Sequence, residues 1–263
     1  MKRTALTILG ETAAVHHARL LRAGIDHALF ETAPPTVSGK PPTTYRVRID
    51  AIGDAAVKAR EDQPILLPSS CPERHINIDG SFCLYWAEAE PNAIVDASSA
   101  GLWWSKLLVF LKRQQSAAAL RQWPGRSEAR AHGPEAARAQ LVAERAASEL
   151  GPGFRGLLDD LRLVSLRKKV GGDPRLRLML DGKRLISVRE RGQQVMTKRA
   201  RCKCDDAVRL RLPISGCGSH ETALRDVTVA LNRWKIEEDR FFRAYIAAGA
   251  KCCGTMDGCP LAA

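Results

Sequence analysis

His75-Ile76-Asn77-Ile78-Asp79-Gly80-Ser81-Phe82-Cys83-Leu84 is the stretch from which the rest of the chain is read. Asp79-Gly80 is a tight-turn dipeptide, because glycine enters the left-handed backbone region without steric cost. Such a turn folds Asn77 back toward Cys83, which has an apolar residue on each side. A thiol held there can act as a nucleophile, and the Asn77 carboxamide can donate a hydrogen bond to an oxyanion forming on the attacked carbonyl. The same residues taken alone also fit a structural cysteine, since free cysteine is among the most buried residue types.

The flanks add to this. The segment resembles the core of the ubiquitin-conjugating (E2) enzymes, in which a His-Pro-Asn tripeptide precedes a Gly-Ser-Ile-Cys-Leu-type nucleophile segment. His75-Ile76-Asn77 stands in the place of the tripeptide and Gly80-Ser81-Phe82-Cys83-Leu84 in that of the nucleophile segment. Upstream, Thr43–Asp50 alternates apolar and polar residues as a sheet strand does. Downstream, Trp86 is followed by Gly101–Leu111, which is similar to the helix behind the active site of that fold. Three departures stand out. Ile76 replaces the proline, the spacing from His75 to Cys83 is shorter than in eukaryotic members, and Ala87–Ala100 is insertion-like. They point toward the divergent prokaryotic E2-like proteins, which accompany E1-like adenylating enzymes and ubiquitin-like proteins in bacterial conjugation or antiphage operons.

The resemblance covers residues 1–125 and implies an α+β domain: a helix, an antiparallel meander, the active-site turn and packing helices. It also implies a transferase. The chain would take the activated C-terminal carboxylate of a ubiquitin-like modifier from an E1-like enzyme as a thioester on Cys83. It would pass that acyl group to an amine of an acceptor protein, with Asn77 stabilising the tetrahedral oxyanion. His75 would support the loop, as the family's histidine mainly does, or act as a general base. ATP is consumed by the E1 partner, so no organic cofactor is implied. Arg74 is a possible cation for lowering the Cys83 pKa, and Ser81 an alternative nucleophile through an oxyester. A reading from another class stays open: a non-catalytic E2-like adaptor whose C-terminal domain binds a protein or nucleic-acid partner.

At 263 residues, 45% of them hydrophobic, the chain has the length of one large or two ordinary domains and the apolar content for real cores. Met1-Lys2-Arg3 and Thr4–Gly10 imitate the start of a signal peptide, but the apolar stretch is short and Glu11 closes it. No stretch approaches the roughly 18 apolar residues that span a bilayer. A cytoplasmic protein is expected, and in a reducing compartment its eight cysteines are thiols or metal ligands rather than disulfides. Charge is uneven. Residues 1–125 carry 14 Lys+Arg against 12 Asp+Glu, and residues 126–263 carry 27 against 17. That shift, with the Trp123-Pro124-Gly125 stop, divides the chain into an E2-like domain (1–125), a helical connector (126–160) and a basic cysteine-rich domain (161–263).

Within the first part, Ala14, Val15, Ala18 and Leu21 recur at helical spacing and predict a helix over Glu11–Ala23, ended by Gly24. The adjacent His16 and His17 face different directions on such a helix and are read as solvated. Thr32–Pro42, with four prolines, is a loop. Cys71, in the loop after Ile65-Leu66-Leu67, has no cysteine in local spacing and is read as packing, with a second transfer thiol as the alternative. Trp103 and Trp104 are neighbours on one helix with Leu107, Leu108 and Leu111 and are read as core, with one of the two indoles at a domain or partner interface as the alternative.

The second part changes character. Pro134 opens the alanine-rich helix Glu135–Leu150, which Gly151-Pro152 stops. Leu163–Val170, Arg175–Leu180 and Lys183–Arg189 alternate aliphatic with basic residues between Gly171-Gly172-Asp173-Pro174 and Asp181-Gly182, and predict a small basic β-meander. A helix from about Ser219 to Gly249 follows, with Leu224, Val227, Leu231, Trp234, Phe241 and Tyr245 as its apolar stripe. Cys202-Lys203-Cys204 and the group Cys252, Cys253, Cys259 are each compact enough to supply two ligands to a closed structural zinc site. Cys217 and His220 are further candidate ligands. Reduced, partly buried thiols are the other reading. Arg162, Arg167, Lys168, Lys169, Arg175, Arg177, Lys183 and Arg184 form a basic face that suits nucleic acid or an acidic protein partner. Residues 155–233 contain no aromatic, however, so no base-stacking platform accompanies it.

Overall fold

The computed structural model describes residues 3–36, 41–86, 88–90, 92–125, 130–205 and 212–262. Val37–Lys40 of the proline-rich loop, Ala87 of the insertion-like stretch and Arg126–Ala129 of the connector lie outside them. The chain forms two compact units: residues 1–124 together with 250–263, and residues 125–249.

The first unit begins with helix α1 (Ala5–Thr12), capped by the Thr4 hydroxyl, which accepts from the Thr7 N–H at 3.3 Å. Four antiparallel strands follow as a simple meander, in the order β1 (Ala18–Ala23), β2 (His27–Thr32), β3 (Tyr45–Ile52) and β4 (Ala56–Glu61). Register sets the core, because period-two side chains from paired strands stack on one face. Ala28 lies opposite Ile49, Phe30 opposite Val47 and Thr32 opposite Tyr45, and all six are buried.

Helix α2 (Ala97–Leu120) is opened by a capping box in which the Asp96 carboxylate accepts from the Ser99 N–H at 2.8 Å and Ser99 Oγ accepts from the Asp96 N–H at 3.0 Å. Its buried residues, Ala100, Trp103, Trp104, Leu107, Phe110 and Leu111, recur at three- and four-residue intervals. Each large apolar side chain taken from water in this way stabilises the fold by about 1.5–3 kcal/mol before the entropy of ordering it is counted.

One expectation for this unit is corrected. Glu11–Ala23 is not one helix. It splits into the end of α1, a single 3-10 turn (Ala13–His16) and strand β1, with His17 in the left-handed region at φ 55°. The spacing of Ala14, Val15, Ala18 and Leu21 fits a helix, but the ladder to β2 satisfies the backbone of residues 18–23 and wins. Trp103 and Trp104 are both buried, in line with the core reading of the pair. Trp104 meets Phe30 edge-on at 5.1 Å and donates its indole N–H to Thr12 Oγ1 at 3.2 Å, so α2 is covered by the sheet and by α1 at once.

The second unit holds α3 (Pro134–Glu149), α4 (Pro152–Asp159), the antiparallel sheet β5 (Leu163–Val170), β6 (Asp173–Leu180) and β7 (Lys183–Arg189), and the long helix α5 (His220–Ala247). Alanines at 136, 137, 139, 143, 146 and 147 give α3 a flat buried face, along which it packs on α5. Leu176, Leu178, Ile186 and Val188 of the sheet join Phe154, Leu158, Leu224 and Val227 in one core. Asp181 and Gly182, both at positive φ, make the two-residue hairpin loop that an Asp-Gly dipeptide favours.

The boundaries therefore differ from those expected. The alanine-rich residues 134–159 are an integral layer of the second unit rather than a connector, and residues 250–263 belong to the first unit rather than to the cysteine-rich one. Among the described residues no helix is long and apolar enough to cross a membrane.

Candidate functional site

The turn around Cys83 rests on a short antiparallel ladder. Cys71 and Ile76 exchange two backbone hydrogen bonds of 3.0 Å, Ile76 pairs with Phe82, and Ser81 pairs with Arg60 of β4. The Asn77 N–H donates to the Ser81 carbonyl at 2.8 Å and the Gly80 N–H to the Asn77 carbonyl at 2.9 Å, with Gly80 at φ 77°. Phe82 is buried against Phe110 with ring centroids 4.7 Å apart, whereas Cys83, next in the alternation, is exposed. The Cys83 N–H donates to the His75 carbonyl at 2.9 Å, which fixes the backbone at Cys83.

The polar side chains of the turn bind one another. Asp79 Oδ1 accepts from the Ser81 N–H at 3.0 Å and from Ser81 Oγ at 2.6 Å, and Asn77 Nδ2 donates to Ser81 Oγ at 3.0 Å. Burial works upward on the Asp79 carboxyl, but the Ser81 and Lys58 hydrogen bonds outweigh it and hold the group below the usual carboxylate range. Ser81 is buried and its hydroxyl committed, so its role here is to brace the turn. Asn77 keeps one amide hydrogen beyond the one given to Ser81. His75 sits at φ 54°, with its ring 4.8 Å from that of Trp123. Its carbonyl holds the Cys83 N–H and its ring packs on Trp123.

Arg74 does not serve Cys83. Its Nε donates to Gln114 Oε1 at 2.7 Å and its Nη2 to the Gln114 carbonyl at 3.0 Å, while Gln114 Nε2 donates to the Arg74 carbonyl at 2.6 Å. The Cys83 thiol is pushed up from its ordinary value, chiefly by desolvation and then by the Glu90 carboxylate. Glu90 is ion-paired with Lys106, whose Nζ stands 4.0 Å over the Tyr85 ring. Nothing in the residue pattern marked Glu90 as a neighbour of Cys83, because it reaches the thiol through an irregular loop.

In the second unit, Cys202, Cys204, Cys217 and His220 bring one ligand atom each to within 4.8 Å of the others. Cys204 Sγ lies 3.6 Å from Cys217 Sγ, and His220 Nδ1 lies 3.1 Å from Cys217 Sγ and 3.7 Å from Cys202 Sγ. The three thiols are buried. Desolvation, with the crowding of Cys204 and Cys202, pushes the Cys217 thiol up to about 12, so a cation is what would bring this group to thiolates. A tetrahedral ion with Zn–S bonds of about 2.3 Å spaces its sulfurs about 3.8 Å apart, and the observed spacings fit it. His220 opens α5, and its N–H donates to the Cys217 carbonyl at 3.1 Å, which sets the Cys217-to-His220 spacing.

Comparison with known families matches residues 20–125 to the family described as "Prokaryotic E2 domain" and residues 131–261 to "Cysteine-rich domain, C-terminal to E2 domain". The chain is a prokaryotic E2-domain protein with a C-terminal cysteine-rich domain. No curated protein and no solved structure matches it.

Within the E2 domain the expected catalytic residues Cys83, Asn77 and His75 share one turn. The six expected metal ligands are divided. Cys202, Cys204 and Cys217 meet His220 in the cysteine-rich domain, and this group could hold a metal ion. Cys252, Cys253 and Cys259 belong to the same compact unit as the E2 domain, where Cys253 Sγ lies 2.9 Å from Cys71 Sγ. The single site expected from both groups is corrected accordingly: the chain after α5 returns to the first unit. On the basic face of the meander, Arg167 is paired with Glu190, Arg162 with Asp181 and Arg189 with Asp173.

Proposed function

We propose that this protein is an E2-type acyl carrier that holds a ubiquitin-like modifier on Cys83. The observation that carries the reading is the exposed Cys83 at the end of a laddered turn, with its N–H on the His75 carbonyl and Asn77 in the same turn, inside the matched E2 domain. The Cys83 sulfur attacks the thioester carbonyl presented by an E1-like enzyme. The C–S bond to the E1 thiol breaks, and that thiol takes the proton Cys83 gives up. An acceptor amine then attacks the new thioester, the tetrahedral oxyanion collapses to an amide, and Cys83 leaves as the thiol once the amine proton is transferred. Exchange between thioesters is nearly isoenergetic, so the activation supplied by ATP at the E1 survives to the second step. The second amide hydrogen of Asn77 is the available donor for the oxyanion. Zinc is our choice for the Cys202, Cys204, Cys217 and His220 group, as a closed structural site that shapes the cysteine-rich domain for docking E1, modifier or acceptor. A bacterial conjugation or antiphage setting and a cytoplasmic location suit this chemistry.

A second reading is favoured by the raised Cys83 thiol and by the Asn77 amide engaged with Ser81: a non-catalytic adaptor built on an E2 scaffold. Intact mass after incubation with the cognate E1, modifier and ATP separates the two. A reductant-labile adduct of one modifier, absent in Cys83→Ala, supports the carrier. No adduct with a demonstrably charged E1, and Cys83→Ala retaining partner binding and biological activity, supports the adaptor. An adduct that resists thiols but yields to hydroxylamine moves the ester to a hydroxyl.

A further inference from the structure

Four thiols of the first unit take no part in the transfer: Cys71, Cys252, Cys253 and Cys259. Cys71 lies 2.9 Å from Cys253, sulfur to sulfur, and Cys252 acts electrostatically on Cys259. Cys259 is in turn within electrostatic reach of both Cys253 and Cys71. Cys71 and Cys259 are buried, and the other two half-buried. Gly254 and Gly258, at φ 70° and 66°, turn the chain between Cys252-Cys253 and Cys259. Donors stand beside two of these sulfurs: the Gly254 N–H at 3.3 Å from Cys252 Sγ, and the Thr255 hydroxyl at 3.0 Å from Cys253 Sγ. Such second-layer donors orient thiolate ligands and stabilise their charge.

The charges beside the cluster point the same way. Arg74 is 2% exposed, and its hydrogen-bond partners among the described residues, the two Gln114 oxygens and Thr255 Oγ1 at 3.3 Å, are all neutral. A buried guanidinium without a counter-charge is strongly unfavourable. Among the ionisable groups acting on it, the Cys71 and Cys253 thiols come ahead of Tyr45. Arg121, paired with Asp257 and donating to the Gly254 carbonyl at 3.2 Å, stands within reach of Cys252 and Cys253. Four thiolates around a divalent ion leave a dianionic centre, and two guanidiniums flank this one.

We propose that Cys71, Cys252, Cys253 and Cys259 bind a second zinc ion, in a closed four-thiolate site that fastens the segment after α5 to the base of the Cys83 turn. Cys71 holds Ile76 through two backbone hydrogen bonds, and Ile76 pairs with Phe82 beside the nucleophile, so the ion anchors the ladder on which the nucleophile stands. The Cys71–Cys253 separation opens by less than about one ångström to reach tetrahedral spacing. The site is independent of the acyl-transfer reading and is tested without E1 or modifier.

The test is elemental analysis of the full chain, purified reduced and metal-replete. Two zinc ions per wild-type chain are expected, falling to one in Cys71→Ser and in Cys259→Ser, and also to one in Cys204→Ser, which empties the other cluster. Because a variant can fail to fold, native wild-type protein is also alkylated and mapped by mass spectrometry. Cys71, Cys252, Cys253 and Cys259 should react only after chelation, while Cys83 reacts throughout. Four thiols that alkylate equally fast with and without chelator would overturn the proposal. So would two ions retained in Cys71→Ser and Cys259→Ser, iron in place of zinc, or a Cys71–Cys253 disulfide in reduced preparations.

Discussion

Cys83 carries a functional tension within a single side chain. A thiol must ionise to attack, yet desolvation and the Glu90 carboxylate both favour its neutral form. The thiolate fraction of a group with a raised pKa climbs about tenfold per pH unit throughout the neutral range, so iodoacetamide labelling of Cys83 should rise steadily across pH 7–9 without a plateau. Glu90→Gln removes the smaller of the two causes. Labelling at a fixed neutral pH is expected to accelerate about two- to tenfold, on the order of a kcal/mol or less of charge interaction, read by mass spectrometry. An unchanged rate would mean that desolvation alone sets the thiol. The turn itself was legible in the residues, because its signals lie within ten positions: Asp79-Gly80 makes the turn, and alternation buries Phe82 and exposes Cys83. Arg74 was misread for the opposite reason. Its partner Gln114 is forty positions away and carries no local mark.

At the scale of elements, burial pattern and caps settled most assignments. Asp96 with Ser99 opens α2 through a reciprocal pair, and α2 supplies Trp103, Trp104 and Leu107 to the core. Asp96→Ala should cost about 1 kcal/mol of stability, seen as a lower urea midpoint with an unchanged slope, while Asp96→Asn should cost much less. The three strands β5–β7 and the helices α3 and α5 were readable from period and punctuation. Strand β1 was not, because Ala14, Val15, Ala18 and Leu21 satisfy a helical period, and what overrides it is the pairing of Arg19 with Glu31 and Leu20 with Phe30 across a turn. The adjacent tryptophans can both be core because a helix covered from two sides buries neighbouring positions that a one-sided helix would expose.

For the molecule as a whole, the Cys202, Cys204, Cys217 and His220 group, which could hold a metal ion, and the division of the cysteines bear on stability. The three thiols are buried with His220 at the start of α5, so with an ion held there its loss should loosen that domain far more than a surface change would. Cys204→Ser, or chelation of the wild type, is expected to raise amide hydrogen exchange at residues 197–205 and 212–224 and to lower stability by several kcal/mol. Exchange at β1–β4 should be unaffected. The presence of cysteine groups was plain in the sequence, but their sorting was not, since Cys71 and Cys253 meet across 182 positions.

The return of residues 250–262 to the first unit gives protein synthesis an order of events. The second unit is contiguous and can close as soon as its last helix leaves the ribosome, whereas the first, although begun earlier, stays incomplete until residues 250–262 emerge. Translation halted anywhere in between would release a nascent chain whose second unit is finished and whose first still lacks its closing strap.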